Sequence, residues 1–241
     1  MKCRYVAVLG VAIAALGLSG CGSAPVKVDT QALSRVHTVA IVKAPEPTQY
    51  TVINKGSLAG AFGAAGGAAI AADAEKDQKG LLGALARNKF SFAEQLTADL
   101  QGALKAKGYQ TRLVTAKREK PGDMLKEHTS LMGTGVDAVL DVAMLNVGYS
   151  TENWMTSPFW RPEARVEVAL YARGGTSALY DETFMYGYHN PFMSATNLDA
   201  PEQYHFKNKE DMEGAGDKVL VGGLKDAANA IAQAVANKLT K

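Results

Sequence analysis

The sequence predicts an α/β domain, a sandwich in which amphipathic helices pack on a mixed β-sheet of about five strands. Two patterns support this prediction. Residues 136–147 and 164–172 alternate apolar and polar side chains with the period of two that is typical of strands. Residues 91–107 and 218–239 place apolar side chains three and four positions apart, which indicates helices with one buried face.

The N-terminus has the three regions of an export signal. Lys2 and Arg4 provide positive charge, an uncharged run of 14 residues extends from Tyr5 to Leu18, and small residues then lead to Cys21. Because a permanent transmembrane helix needs about 20 apolar residues, we interpret residues 1–20 as a cleaved signal peptide.

The stretch Leu18-Ser19-Gly20-Cys21 resembles the lipobox of bacterial lipoprotein precursors. The resemblance implies that Cys21 receives a diacylglycerol, that cleavage precedes it, and that fatty acids such as palmitate acylate its new amine. Gly22 follows the cysteine where the family's retention signal has Asp, which implies an outer-membrane location facing the periplasm. An ordinary secretory leader with a chance cysteine is the alternative interpretation.

The mature chain is electrically balanced and has no spare thiol. The leader holds two bases and no acids, so 26 − 2 = 24 basic residues face 24 acidic ones. A zero net charge argues against a nucleic-acid partner and against electrostatic docking to anionic headgroups. Because the net charge is zero, we expect the acyl chains alone to contact the membrane. Cys3 is removed with the leader and Cys21 carries the lipid, so no free thiol is expected in the mature chain.

The mature chain divides into a tether and one domain. Residues 21–36 are polar and irregular and predict an acylated tether, while residues 37–241 predict the periplasmic α/β domain. His37 to Ala44 forms the first predicted strand, which Pro45 and Pro47 end.

A charge-free run of Gly and Ala, Gly56 to Ala72, interrupts the domain and leaves two interpretations open. The pairs Gly56/Gly60 and Gly63/Gly67 have the spacing of a glycine zipper, which favours self-association or membrane insertion. However, 17 helical residues span only about 25 Å, less than the hydrocarbon core of a bilayer. A small-residue insertion lying on the domain is therefore favoured.

The middle of the chain predicts two helices and the longest strand. Ser91 and Glu94 have the spacing of a capping box, and Gly108 is placed to end that helix. Residues 117–120 read as a solvated charged turn, and Asp123 as the cap of a short helix reaching residue 132. Asp141 lies within the strand 136–147, where a hydrogen-bonded or solvent-facing role is favoured over that of a general base.

The stretch 150–162 holds both tryptophans and predicts a long connection between strands. Packing of these aromatic residues on their own domain is the more frequent outcome. A partner-binding tip is the alternative, because Trp and Arg are enriched in interface hot spots. The candidate contact residues are Trp154, Phe159, Trp160 and Arg161.

The C-terminal third predicts a hairpin, a long loop and a closing helix. Residues 173–176 form the turn and 178–188 the return strand, with Tyr180 and Tyr186 packing across strands. Residues 189–217 are polar and predict a loop. In the closing helix, Gly222 and Gly223 are expected to bend or tighten the first turns.

The chain carries no recognisable catalytic signature. Walker A, HExxH, GxSxG and CxxC motifs are absent from the sequence, and the four histidines lack ligand spacing. We therefore predict no catalytic residue, no metal and no cofactor apart from the covalent lipid.

Three segments resemble a group of periplasmic α/β lipoproteins. They are HTVAIVKAPEP, GVDAVLDVAMLNVGY and RVEVALYARGGTSALYDETF followed by a final helix. Their pattern is similar to that of the N-terminal domain of the Tol–Pal translocation protein, of curli-secretion-type lipoproteins and of penicillin-binding-protein activator lipoproteins. The resemblance implies a non-enzymatic module that binds other envelope proteins or assembles into a larger machine.

Three hypotheses for function follow. The first is an outer-membrane-anchored interaction or assembly lipoprotein. The second is a homo-oligomer that inserts residues 56–72 into the membrane as part of a pore or export complex. The third is an envelope hydrolase or ligand carrier with an unrecognised site, for which we would expect a deep pocket lined by Asp141 and the tyrosines.

Overall fold

A computed structural model describes residues 28–47, 49–54, 76–120, 122–153, 157–175, 177–189 and 193–240. The predicted signal peptide, the acylation site and the Gly/Ala-rich run lie outside these ranges.

Within the described residues, helices pack on one mixed sheet, which confirms the predicted α/β class. The helices are α1 Thr30–Leu33, α2 over residues 76–87, α3 Phe92–Ala106, α4 Lys209–Gly214 and α5 Asp217–Lys238. The strands are β1 Thr38–Val42, β2 Tyr50–Ile53, β3 Gln110–Val114, β4 Ala138–Asn153, β5 Ser157–Ala172, β6 Ala178–Tyr186 and β7 Thr196–Leu198. The sheet has more than the five predicted strands because β2 and β7, of four and three residues, are too short to show a period.

The long hairpin of β4 and β5 forms the centre of the sheet. The strand order is β3-β1-β4-β5-β6-β7, and β2 also pairs with β4. β1 lies parallel to β4 at residues 138–140, and β2 lies parallel to it at residues 147–150. Among the described strands, none pairs with residues 141–146 along that edge, so β4 is left with a gap between β1 and β2.

The hairpin strands occupy most of the stretch 150–162, so the predicted long connection is wrong. β4 continues to Asn153 and β5 already begins at Ser157. Trp160 and Ala164 continue the inward face of β5 and are buried in the core. The prolines hid this strand pattern, because proline rarely occurs in paired strands; Pro162 nevertheless lies opposite Tyr149 in the ladder.

One face of the sheet, which we call the helix face, is covered by α3 and α5. Ser91 Oγ accepts a hydrogen bond from the N–H of Glu94 at 3.0 Å, and Gly108 has a positive φ of 87° after the last turn of α3. Both predicted ends of α3 are thereby confirmed. The core on this face includes Leu96, Leu100, Leu104, Leu140, Val168, Phe184, Leu224 and Ile231, all buried.

Gly223 allows α5 to approach the sheet closely. The helix continues through both glycines. A Cβ atom on Gly223 would lie 2.6 Å from Tyr149 Oη, and this hydroxyl donates a hydrogen bond to the carbonyl of Leu220 at 2.8 Å. Close packing on the sheet therefore explains Gly223, whereas a Cβ on Gly222 would lie 3.1 Å from Tyr204 Oη, outside the sheet.

The boundary between tether and domain also needs correction. Asp29 caps α1 by accepting a hydrogen bond from the N–H of Ala32 at 3.0 Å. Leu33 and Val36, which fall within the predicted tether 21–36, are buried in the core. The folded domain therefore includes residues from 28 onwards, because two apolar side chains of this polar segment pack inside it.

Candidate functional site

The opposite face of the sheet, which we call the loop face, carries a buried charged cluster. Residues 115–120 and 122–136, which we call segment 115–136, cross this face, and Leu131 and Met132 belong to an apolar cluster on it that includes Val139. Asp141 lies beneath this segment, one residue beyond the point where β1 stops pairing with β4, and its side chain is fully buried. The part of the β4 edge that no described strand pairs with, between β1 and β2, thus contains a buried carboxylate.

Asp141 accepts four hydrogen bonds. Its Oδ1 accepts from Arg118 Nη2 at 2.6 Å and from the N–H of Val142 at 2.9 Å. Its Oδ2 accepts from the N–H of Leu125 at 2.7 Å and lies 3.0 Å from His128 Nε2. We call Asp141, Arg118 and His128, with the backbone N–H of Leu125, the polar hub.

Arg118 supplies the positive charge that this buried carboxylate needs. Its side chain is only 4% exposed, so the prediction of a solvated turn over 117–120 is wrong at this residue. Nη2 also donates to the carbonyl of Val142 at 3.0 Å, and Nη1 donates to that of Asp123 at 2.7 Å. The guanidinium therefore satisfies one carbonyl of β4, within the gap, and one carbonyl of the irregular segment.

His128 is the third side chain of the hub, and it also contacts strand β5. Its ring stacks on Tyr171 with 3.7 Å between ring centroids and 17° between planes. Burial raises the pKa of Tyr171, and the carboxylates of Asp181, Asp141 and Glu167 raise it further. The predicted helix over 123–132 is wrong, since only Thr129–Leu131 form a 3-10 turn. The N–H of Leu125 and the carbonyl of Asp123 bond to hub side chains instead.

A cavity of about 560 Å³ lies within segment 115–136, beside the hub. Charged side chains of both signs line it, and Lys126 pairs with Glu119 at 2.8 Å. Ser130 also lines the cavity, but its hydroxyl donates to Glu127 at 2.7 Å. Since all four acceptor positions of Asp141 are occupied, the hub has the chemistry of a structural cross-link and offers no free base to a nucleophile.

Two more carboxyl groups line the open part of the loop face. Glu167 and Asp181 are half-buried on β5 and β6. Burial raises the pKa of Glu167, and the neighbouring Asp181 raises it further. Burial likewise raises the pKa of Asp181. Among the described residues, no group of three His, Cys, Asp or Glu side chains is placed to hold a metal ion.

A second cavity, of about 300 Å³, lies between β2, α2 and the start of α5. Its walls are partly apolar, with Val52, Leu81 and Leu220 among them. At its rim Arg87 and Asp217 form a bidentate ion pair, with Nε to Oδ2 at 2.5 Å and Nη2 to Oδ1 at 2.9 Å. Asp141 and the core tyrosines lie on opposite faces of the sheet, so the pocket expected for a hydrolase or carrier is not formed between them.

The structure changes the interpretation of the predicted partner-contact residues. Trp160 is 5% exposed and belongs to the core, so it is not available as a surface contact. Phe159 is half-buried and stacks on His205 with 6.1 Å between ring centroids. Arg161 is half-buried as well. Packing on the domain, the favoured alternative, therefore describes Phe159 and Trp160.

The remaining candidate residues lie outside the described ranges. They are the lipobox residues Leu18, Ser19 and Gly20, the acylation site Cys21, the glycines Gly56, Gly60, Gly63 and Gly67, and Trp154. Arg118 and His128 were not predicted as site residues. The available signal was Asp141 itself, because a carboxylate within an apolar strand needs a buried donor.

Compared with known proteins, the chain matches no protein-family model and no curated protein. Among the described helices, none is both long and apolar enough to span a bilayer.

Proposed function

We propose that the chain is a lipoprotein of the cell envelope that is anchored in the outer membrane through acylated Cys21 and faces the periplasm. There it acts as a non-enzymatic interaction or assembly module. The observation that carries this proposal is the leader of residues 1–20, which ends in Leu18-Ser19-Gly20 before the cysteine.

The domain geometry supports a binding role over catalysis. The chain's most distinctive buried charges, Asp141 and Arg118, bond to each other and to backbone groups of segment 115–136. These bonds hold segment 115–136 in place and occupy every acceptor position of the Asp141 carboxylate. A rigid domain on a lipid anchor is suited to present its surface loops to other envelope proteins.

Acylation is the first test. In cells fed labelled palmitate, we expect label on the wild-type chain and none on Cys21→Ser, which lacks the thiol that carries the lipid. Ser19→Ala, which keeps a small residue in the lipobox, is the matched control and should still be labelled. Unlabelled wild type in the soluble envelope fraction would contradict the lipoprotein proposal.

Oligomeric mass in detergent separates the binding module from the pore component. We expect the acylated chain, the Cys21→Ser chain and a chain lacking residues 56–72 all to be monomeric. Chemical cross-linking in cells should then join the wild type to other envelope proteins. If the acylated chain assembles, and Gly60→Leu or Gly67→Leu abolishes the assembly, the pore or export hypothesis replaces the module.

A further inference from the structure

The fold separates charge along the domain, although the mature chain has no net charge. We infer that the end of the domain at which β1 begins is a basic surface that lies against anionic phospholipid headgroups. This inference rests on the lipid anchor proposed above, which would keep the domain close to the bilayer.

Several elements meet at this end, which we call the basic end. β1, β3 and β4 are parallel and all begin here, and β5 ends here opposite the start of β4. α3 leads into β3 at Tyr109, whose hydroxyl donates to the carbonyl of Leu239 at 2.6 Å, so the C-termini of α3 and α5 also meet here.

Cations outnumber acids at the basic end. Its cations, all exposed or half-exposed, are Arg35, Lys105, Lys107, Arg112, Arg173 and Lys238. The acids of the described chain at this end are Asp29, Asp137, Asp181 and Glu182, the last of which pairs with Lys238 at 3.2 Å. Six cations against four acids leave a formal excess of two positive charges.

The positions of the arginines show that the positive excess does not come only from cations that stabilise helix C-termini. Lys105 and Lys238 lie in the last turns of α3 and α5, where a cation stabilises the helix dipole. Arg35 follows α1, Arg112 lies on β3 and Arg173 lies in the hairpin turn, and none of these positions is a long helix end. Arg112 donates to the carbonyl of Thr134, and Arg173 donates to those of Gly133 and Val136. The charge of Arg173 also contributes to the lowered pKa of the Asp137 carboxyl.

One segment at the opposite end of the domain is acidic. Segment 199–218, which includes α4 and the start of α5, contains six acids and three lysines. One of these acids, Asp217, pairs with Arg87. The 22 residues of α5 separate the two ends by about 33 Å. In the sequence, the zero net charge of the mature chain argues against electrostatic docking to a membrane. It does not exclude such docking, because the basic end and the acidic segment 199–218 lie far apart.

The short chain between the acylation site and the domain keeps the domain close to the membrane. Cys21 precedes Val28, the first described residue, by seven residues. Even fully extended, this stretch spans only about 25 Å. Val28 packs against the core two residues before α1, and β1 begins at Thr38, ten residues after Val28. This short connection limits how far the domain can move away from the bilayer once Cys21 is acylated.

A lipid anchor combined with a basic surface is an established way to hold a protein on an anionic bilayer. Each Lys or Arg close to such a surface strengthens binding by about fivefold. The basic end would thus orient the domain on the bilayer. The opposite end, with segment 199–218 and the second cavity, would then face the periplasm.

Vesicle binding of the mature chain with Cys21→Ser tests the basic end without the anchor. We expect this chain to bind vesicles of phosphatidylcholine mixed with phosphatidylglycerol at low salt, and to bind pure phosphatidylcholine at least about tenfold more weakly. High salt should abolish the difference, since it screens exposed charges. The triple variant Arg35→Glu, Lys105→Glu, Lys107→Glu should lose the preference for phosphatidylglycerol.

A matched variant at other positions separates surface from net charge. Lys43→Glu, Lys207→Glu and Lys218→Glu change the net charge equally and alter exposed lysines away from the basic end. We expect this variant to bind within about twofold of the unmodified surface. Thermal melts should show that both variants are folded.

Three results would overturn the inference: equal binding to both vesicle types, equal losses in the two triple variants, or retention by heparin without a preference for phosphatidylglycerol. The last result would assign the surface to a soluble polyanion. Failure of palmitate labelling would instead refute the anchor, so the two proposals fail separately.

Discussion

The two faces of the sheet are covered in different ways. On the helix face, α3 and α5 contribute buried leucines, alanines and Ile231 that pack on apolar strand residues. On the loop face, the largely irregular segment 115–136 is held by a small apolar cluster and by the polar hub around Asp141. One sheet therefore carries a layer attached by apolar burial and a layer that also depends on buried charge.

The difference follows from the backbone. A helix satisfies its own N–H and carbonyl groups and can be attached through apolar contacts alone. An irregular segment cannot do this, so its buried backbone groups need partners on the sheet. Asp141 accepts the N–H of Leu125, and Arg118 donates to the carbonyls of Asp123 and Val142. The hub supplies the partners that a helix would not require.

Removal of the hub carboxylate should have the largest effect. Asp141→Ala leaves the buried Arg118 guanidinium without its counter-charge and the N–H of Leu125 without an acceptor. Breaking a buried pair in this way costs about 3–5 kcal/mol. Urea unfolding should show this loss, and hydrogen exchange should show that protection in segment 115–136 is lost before that in α3 and α5.

Asp181→Ala is the control for this prediction. Asp181 lies on the same face, at the ladder position opposite Ala169, as Asp141 does on the other side of β5. It is half-buried, and no ion pair holds it among the described residues. We expect a change below about 1 kcal/mol. Equal losses from both substitutions would refute the special role of the hub.

Truncation on the helix face should destabilise the whole domain. Leu140 precedes Asp141 on β4 and is fully buried beneath the helices. Leu140→Ala should cost about 3 kcal/mol, through lost apolar burial and the cavity that remains. Hydrogen exchange should accelerate in α3, α5 and the central strands together. Loss of protection confined to segment 115–136 would contradict the separation of the two faces.

The same contrast explains what the sequence can predict. α3, α5 and the hairpin β5–β6 repeat a pattern over many residues, and Ser91 and Gly108 mark both ends of α3, so periodicity was sufficient for them. β2 and β7 are too short for a pattern. The apolar side chains of the predicted tether, Leu33 and Val36, were too few to indicate that they pack in the core.

The polar hub lies beyond such local patterns. Arg118 is 23 residues from Asp141 in the sequence, and His128 is 13 residues away. The run of four charged residues, Lys117, Arg118, Glu119 and Lys120, is typical of a solvated turn. Its composition does not reveal which one of the four side chains is buried. Only the gap between β1 and β2 creates the need for Arg118, and that gap is a property of strand pairing.

The smallest predicted effect concerns the open part of the loop face. Burial and the charge of Asp181 raise the pKa of Glu167, so the folded state binds this proton more tightly than the unfolded state does. Stability contributed by the protonated carboxyl is therefore lost as pH rises above the ordinary value of 4.5. Glu167→Gln keeps the shape without the charge and should stabilise the domain at pH 7 by less than about 1 kcal/mol.

The pH profile decides whether charge is the cause of that gain. Thermal melting of Glu167→Gln and wild type should agree in acid and separate as pH rises, with the variant the more stable. Glu202→Gln, an exposed carboxylate at the other end of the sheet, should follow the wild type throughout. A gain from Glu167→Gln that is the same at every pH would indicate better packing. The loop face would then carry no electrostatic cost beyond the hub, and the contrast with the helix face would rest on Asp141 and its partners alone.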